Sequence, residues 1–176
     1  MSTRPNFRRF ARSAASLVGA VLIGAALANC SDDETVVAPT PLVKFRATLA
    51  GTEEVPPVTT TATGTSEFTL SRTNDTLFVN ITVSGLSNVR FGHFHTGARG
   101  TNGAVVATLV EAPTLTGPQN GRIGRQFITA ANLSGTLAGQ PLSALVTQLS
   151  AGGIYVNLHT DANTGREVRG QVALVP

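Results

Sequence analysis

Apolar and polar residues alternate along much of the chain from Val43 onward, and this alternation constrains the fold more than any other feature of the sequence. Successive side chains of a β-strand point to opposite faces, so a period of two predicts strands with one buried face. Phe45, Ala47 and Leu49 form the first such set. Turn-forming residues recur about every ten positions, which indicates a sheet of many short strands.

The clearest predicted hairpin covers residues 64–83. Two alternating segments, 64–71 and 76–83, flank a turn at Arg72-Thr73-Asn74-Asp75, where Asn and Asp tolerate the left-handed backbone that tight turns need. Four apolar residues are predicted to share the buried face of its second strand, namely Leu77, Val79, Ile81 and Val83. Further strands are predicted at residues 89–95, 104–110, 122–128, 154–160 and 167–175.

One segment has helical periodicity instead. Residues 140–149 carry four apolar residues at the i, i+3, i+4 and i+7 spacing of a helix face, namely Leu142, Leu145, Val146 and Leu149. Pro141 suits the first helical position, and Gly152-Gly153 suits the stop. We therefore predict an all-β domain at residues 43–176, a Greek-key-like β-sandwich or barrel with one short helix. The single Cys rules out an intrachain disulfide, so the core must stabilise the domain.

The first thirty residues have the order of a bacterial lipoprotein signal. Four arginines precede an uncharged run of fifteen residues, Ala14–Ala28. The run is shorter than the ~20 residues of a membrane span and typical of a signal peptide. It leads into Leu27-Ala28-Asn29-Cys30, which resembles a lipobox. We predict removal of residues 1–29 and lipidation of Cys30; the alternative is a free thiol in an ordinary signal peptide.

The predicted mature chain is a lipoprotein of the bacterial cell envelope, anchored in the membrane through the lipid on Cys30. Residues 30–42 form an acidic, proline-containing tether. Ser31 after Cys30 favours the outer membrane, and Asp32-Asp33-Glu34 fits either a surface-export tag or a solvated linker, so periplasmic and surface-exposed locations both stay open. Without residues 1–29, nine basic residues face ten acidic ones. This balance, near −1, argues against a nucleic-acid partner.

All three histidines fall in two predicted strands. His93 and His95 share a face by the strand period, and His159 lies on the less apolar face of its strand with Tyr155 and Asn157. If these strands are neighbours, three imidazoles converge on a site that suits Cu or Zn. The alternative is that the histidines are structural and form hydrogen bonds with loop backbone.

Three polar residues, Glu167, Arg169 and Gln171, alternate in the same way on one strand face. Glu167 could orient a histidine of the metal site, and the alternative is that Glu167 and Arg169 form a surface ion pair with residues of neighbouring strands. No Ser/His/Asp nucleophile elbow, phosphate-binding loop or dinucleotide motif occurs in the sequence. We therefore predict no catalytic residues and favour a protein that is not an enzyme.

Together these motifs resemble the CHRD domain, which occurs in chordin and alone in exported bacterial proteins. The resemblance spans roughly residues 43–174 and rests on the segments 49–58, 93–103, 133–149, 155–160 and 165–171. It implies an all-β extracytoplasmic module with Tyr155, Asn157, Glu167, Arg169 and Gln171 as family-motif residues.

The resemblance implies no activity for bacterial members. We expect a non-enzymatic binding or structural module whose partner is an unidentified envelope or extracellular protein. The alternative is a Cu- or Zn-binding protein with His93, His95 and His159 as ligands, which could be similar to superoxide dismutases.

Overall fold

The chain folds around a sheet that closes on itself. The computed structural model describes residues 42–111 and 113–176. The predicted signal peptide at residues 1–29, the predicted lipidation site Cys30 and residues 31–41 of the predicted tether lie outside the described residues. Within the described part of the chain, no helix is long and apolar enough to span a membrane.

The described residues form nine strands and one short α-helix, which confirms the predicted all-β class. The strands are β1 Lys44–Ala50, β2 Thr63–Leu70, β3 Leu77–Thr96, β4 Val105–Val110, β5 Leu115–Ile123, β6 Phe127–Ile128, β7 Ile154–Thr160, β8 Val168–Gln171 and β9 Ala173–Leu174. The helix α1 spans Leu142–Ser150, and 3-10 turns occupy Gly51–Glu53, Ala130–Asn132 and Gly135–Leu137.

The order of the strands closes a barrel. Neighbours follow the order β2-β1-β8-β7-β3-β4, and β2 also pairs with β3. Closure depends on the length of β3, because its residues 77–84 pair with β2 while its residues 89–96 pair with β7. Of the two predicted architectures, the barrel is therefore the one that the chain adopts.

The long strand β3 corrects one prediction. Residues 76–83 and 89–95 were expected to be separate strands, but β3 continues through them without a break. Gly85 and Asn88 take positive φ values of 75° and 51°, and the pairing of β3 with β5 shifts register on either side of them. Bulges of this kind bend a strand without ending it.

The two predicted strands at residues 122–128 and 167–175 are also divided differently. Pairing in the first region begins at Leu115 in β5, stops after Ile123 and resumes in β6. Gly124, with φ of 80°, lies in the interruption. The second region splits at Val172, whose N–H still donates to the carbonyl of Ile154 of β7 at 3.0 Å, while the next two residues form β9 and pair with β1.

The predicted hairpin and helix are confirmed in their main features. Leu70 pairs with Leu77 next to the turn, and Asn74 takes the left-handed backbone with φ of 59°. The predicted face of β3 fills the barrel interior, and α1 buries Leu142, Leu145 and Leu149. Pro141 caps α1 rather than opening its first turn.

Candidate metal centre

The three histidines are brought together because β3 and β7 are neighbours. In the antiparallel register, Phe91 lies opposite His159, His93 opposite Asn157, and His95 opposite Tyr155. Residues that lie directly opposite each other in a sheet share a face. His93, His95 and His159 therefore project from the outer face of the barrel, away from the interior filled by residues such as Phe94 and Leu158.

The distances between the ring nitrogens suit a metal ion. His93 Nδ1 lies 3.3 Å from His159 Nε2. One nitrogen from each of the three rings lies within 4.8 Å of the other two. Two nitrogens bound to one tetrahedral zinc at about 2.0–2.1 Å lie roughly 3.3 Å apart. The His93–His159 pair already has this separation, and no pair exceeds it by more than about 1.5 Å.

The hydrogen bonds of two rings fix their tautomers. His95 Nδ1 donates to the carbonyl of Gly103 at 2.9 Å, and His159 Nδ1 donates to the carbonyl of Thr164 at 2.9 Å. A carbonyl only accepts, so both Nδ1 atoms carry the proton and both Nε2 atoms keep a lone pair. The Nε2 atom of His95 is buried and has no hydrogen-bond partner. Metal-bound histidines have this arrangement, with the second ring nitrogen donating to a carbonyl.

Burial keeps the imidazoles of His93 and His95 neutral. Together with the neighbouring His159 and His95, it lowers the pKa of His93 to about 4. Burial also lowers the pKa of His95, against the opposing effect of its hydrogen bond to Gly103. Because the neutral ring is the form that binds a metal, protons compete little with a metal at these two residues near neutral pH.

A closed set of contacts holds the ring of His95. His95 stacks on Tyr155 with ring centroids 4.9 Å apart and an interplanar angle of 9°. The guanidinium carbon of Arg169 lies 3.4 Å from the centre of the Tyr155 ring, and Arg169 Nη2 donates to the carbonyl of Thr101 at 2.7 Å. The Gly103 N–H donates to the Tyr155 hydroxyl at 3.2 Å, and the Gly103 carbonyl accepts from His95. The loop between β3 and β4 thus orients His95 through its contacts with the imidazole, Tyr155 and Arg169.

The sequence matches the CHRD domain family over residues 45–172, which is well over half of the chain. The chain belongs to the CHRD domain family. A search of curated proteins found no match. The matched residues include all three histidines and the loop that orients His95, so the candidate metal centre lies within the CHRD domain.

The predicted family-motif residues of this CHRD domain lie on the same outer face, which loops cover. Tyr155, Asn157 and Arg169 are only 1–2% exposed. Gln171 Nε2 donates to three backbone carbonyls, those of Gly97, Gly152 and Ile154, at 2.7–3.0 Å. The sequence placed these residues on the correct face but did not indicate that the face is buried. The alternation distinguishes a polar face from an apolar one, but it does not show whether loops cover the polar face.

Glu167 forms neither of the two predicted contacts. Its carboxylate accepts hydrogen bonds from the hydroxyls of Thr60, at 2.8 Å, and Thr160, and among the described residues it has no hydrogen bond to a histidine. Glu167 and Arg169 are both buried, so they do not form the surface ion pair that was the alternative. The strand period had placed their side chains on one face, but it could not show which residues of other segments reach them.

Asn102 is a site residue that sequence reasoning missed. Its Nδ2 donates to the carbonyl of Val55 at 2.9 Å, and its Oδ1 accepts from Arg166 at 2.7 Å and from Arg169 at 3.3 Å. Glu53 and Arg99 form an ion pair between the same two loops. The signal was present in the sequence, because segments 49–58 and 93–103 are both among the family motifs, but nothing in their spacing shows that they touch.

Proposed function

We propose that this CHRD domain binds one transition metal ion, Zn²⁺ or Cu²⁺, through His93, His95 and His159. The observation that carries the proposal is the convergence of three imidazoles from two neighbouring strands. Among the described residues, these are the only three His, Cys, Asp or Glu side chains whose ligand atoms come together closely enough for a metal. The fixed tautomers of His95 and His159 and the lowered pKa values of His93 and His95 support the same conclusion.

The donor set indicates which metals would bind. Three imidazole nitrogens suit Zn²⁺ and Cu²⁺, and affinity for such a site rises from Zn²⁺ to Cu²⁺. Three protein ligands leave a fourth position for water or an exchangeable ligand. All three histidines are partly exposed, so the site lies close to the protein surface, although the ligand atom His95 Nε2 is itself buried. This combination suits a module that holds or buffers a metal, with an envelope or extracellular protein as its exchange partner.

Reconstitution of the full chain, purified without a histidine tag, tests metal binding. Wild type is expected to retain one equivalent of Zn²⁺ or Cu²⁺ after dialysis, measured by elemental analysis, while His159→Gln is expected to lose it. Arg90→Gln is the matched control, because Arg90 lies on β3, as His93 and His95 do, but pairs with Asp161 at 3.3 Å on the surface. Retention below a tenth of an equivalent in folded wild type would return the histidines to a structural role.

The second part of the proposal concerns where the domain is held. We propose that residues 1–29 are removed and that Cys30 carries the lipid that anchors the chain in the bacterial envelope, most simply in the outer membrane. The support is the order of the basic segment, short apolar run and lipobox-like residues. Intact mass measurement of the membrane fraction is expected to show a diacylated chain beginning at Cys30. An unmodified chain that begins elsewhere would contradict the proposal.

A further inference from the structure

Exposed apolar side chains are concentrated at one rim of the barrel. Seven large apolar side chains are exposed among residues 42–111 and 113–176. Six of them form what we call the proximal rim, namely Leu42, Val43, Phe78, Phe127, Leu174 and Val175. The seventh, Phe91, lies near the other end of β3, next to the metal centre.

The pairing of the strands places these six residues together. β1, β3 and β9 all have an end at this rim: Phe45 pairs with Leu174, and the Val175 N–H donates to the Lys44 carbonyl at 2.9 Å. A continuous row then crosses the sheet outward, from Lys44 to Thr69 to Phe78 to Phe127. Phe78 and Phe127 are 52% and 53% exposed, although they are paired with each other. Exposed apolar side chains gathered at one end of a barrel in this way mark a contact surface.

We propose that the proximal rim rests on the surface of the bilayer that holds the lipid on Cys30. The proposal depends on the proposed anchor and adds an orientation to it. Eleven residues separate Cys30 from Leu42, which limits the distance between them to about 40 Å. The chain enters the domain at Leu42, itself a rim residue. The anchor therefore keeps this rim, more than any other part of the barrel, at high effective concentration near the membrane.

The charges near the rim fit a membrane as the occupant. Lys44 and Arg46 are exposed on the outer face of β1, where Lys44 belongs to the row that leads to Phe78 and Phe127 and Glu67 of β2 lies opposite Arg46. Aromatic rings and basic side chains together suit the boundary between acyl chains and anionic headgroups. On the same strand as Phe78, His93 and His95 follow fifteen or more residues later, so the metal centre lies at the far end of β3. A domain seated on the rim would present its metal centre away from the bilayer.

Tryptophan substitution tests the orientation, because the chain contains no Trp and each introduced ring reports its own location alone. The variants are Phe78→Trp and Phe127→Trp, with Phe91→Trp as the matched control at an exposed phenylalanine outside the rim. Each full-length lipidated chain is reconstituted into vesicles of phosphatidylethanolamine and phosphatidylglycerol, with and without brominated acyl chains. We expect severalfold stronger quenching by brominated lipid for the two rim variants than for the Phe91→Trp control.

Each alternative outcome has a distinct meaning. Equal or absent quenching in lipidated, metal-binding chains would overturn the rim proposal and leave the proposed function intact. Unquenched rim variants that sediment as dimers in detergent would also overturn it and assign the rim to a second copy of the chain. A chain whose mass shows no lipid on Cys30 would overturn the anchor and the rim proposal together, while the metal content of the same samples tests the histidine site separately.

Discussion

Replacing Glu54 with glutamine is expected to stabilise the domain at alkaline pH and to leave its stability nearly unchanged in acid. Glu54 is 2% exposed, and neither of its carboxylate oxygens has a hydrogen-bond partner. Burial raises its pKa from 4.5 to about 7, although the positive charges of Arg166 and Arg169 act in the opposite direction. The folded protein therefore holds a proton on Glu54 under conditions where the unfolded chain has lost it.

The size of the effect follows from this difference in proton binding. A carboxyl group with a raised pKa leaves stability intact below its unfolded pKa of 4.5, and stability falls as pH rises until the folded group ionises at about 7. The loss accumulates at ~1.4 kcal/mol per pH unit across that window, which amounts to about 3 kcal/mol above neutral pH. Glutamine has nearly the same shape and cannot ionise, so the variant escapes this loss.

Urea denaturation of the full chain measures the effect as a difference between two pH values. The free energy of unfolding of Glu54→Gln is expected to exceed that of wild type by up to about 3 kcal/mol near pH 9 and to match it near pH 4. Glu53→Gln is the matched control, because Glu53 is the chain neighbour but forms a partly exposed ion pair with Arg99. The control should change stability by about 0–1 kcal/mol.

The opposite sign at alkaline pH would refute the reasoning. If Glu54→Gln destabilised the protein near pH 9, the carboxylate would have to be ionised and stabilised by Arg166 and Arg169. In that case the attraction of the two guanidinium groups would outweigh the effect of burial, and the stabilising group would be an ion pair buried between the loops.

Three further substitutions test the packing around the site. Tyr155→Phe removes the acceptor of the Gly103 N–H and should lower Zn²⁺ affinity by roughly tenfold in a chelator-competition titration; unchanged affinity would show that the hydroxyl does not position His95. Gly103→Ala would press a Cβ into the Thr96 carbonyl and should lower the free energy of unfolding by about 3 kcal/mol in urea, whereas Gly165→Ala, which meets open space, is its control. Leu145→Ala, at a fully buried helix position, should lower it by about 2–5 kcal/mol, and a loss below about 1 kcal/mol would contradict close packing of α1.

Local sequence patterns were sufficient to predict many of the strands of the barrel. β1 and β7 were visible as alternating segments, and the buried face of the second hairpin strand followed from the period of two. The strand predictions failed where the same residue types occur both in turns and in bulges. Gly85 and Asn88 have the chemistry of a turn, but their positive φ values produce bulges within one long strand. Only the partners on either side decide between a turn and a bulge, and those partners lie far away in sequence.

The candidate site was also predictable only as far as the pairing of distant strands was not needed. The period of two placed His93 and His95 on one face and His159 on the polar face of its own strand, but the convergence of the three depended on whether the strands are neighbours. The pairing of β3 with β7 shows that the two strands are neighbours. Glu54, Asn102 and the true contacts of Glu167 depend on loops that fold back over the sheet, and strand periodicity contains no information about such loops.

The loops create a second buried face on the outside of the barrel, and this face is polar. Seven buried side-chain atoms lack a hydrogen-bond partner among the described residues, and five of them lie in this layer, on Glu54, His95, Asn157 and Gln171. Unpaired buried polar atoms destabilise a fold by about 1–3 kcal/mol each, so an apolar layer would serve stability better. A protonated Glu54 lessens the penalty at one residue. The proposed metal ion would supply a partner for the lone pair of His95 Nε2, which the loop holds towards two other imidazoles.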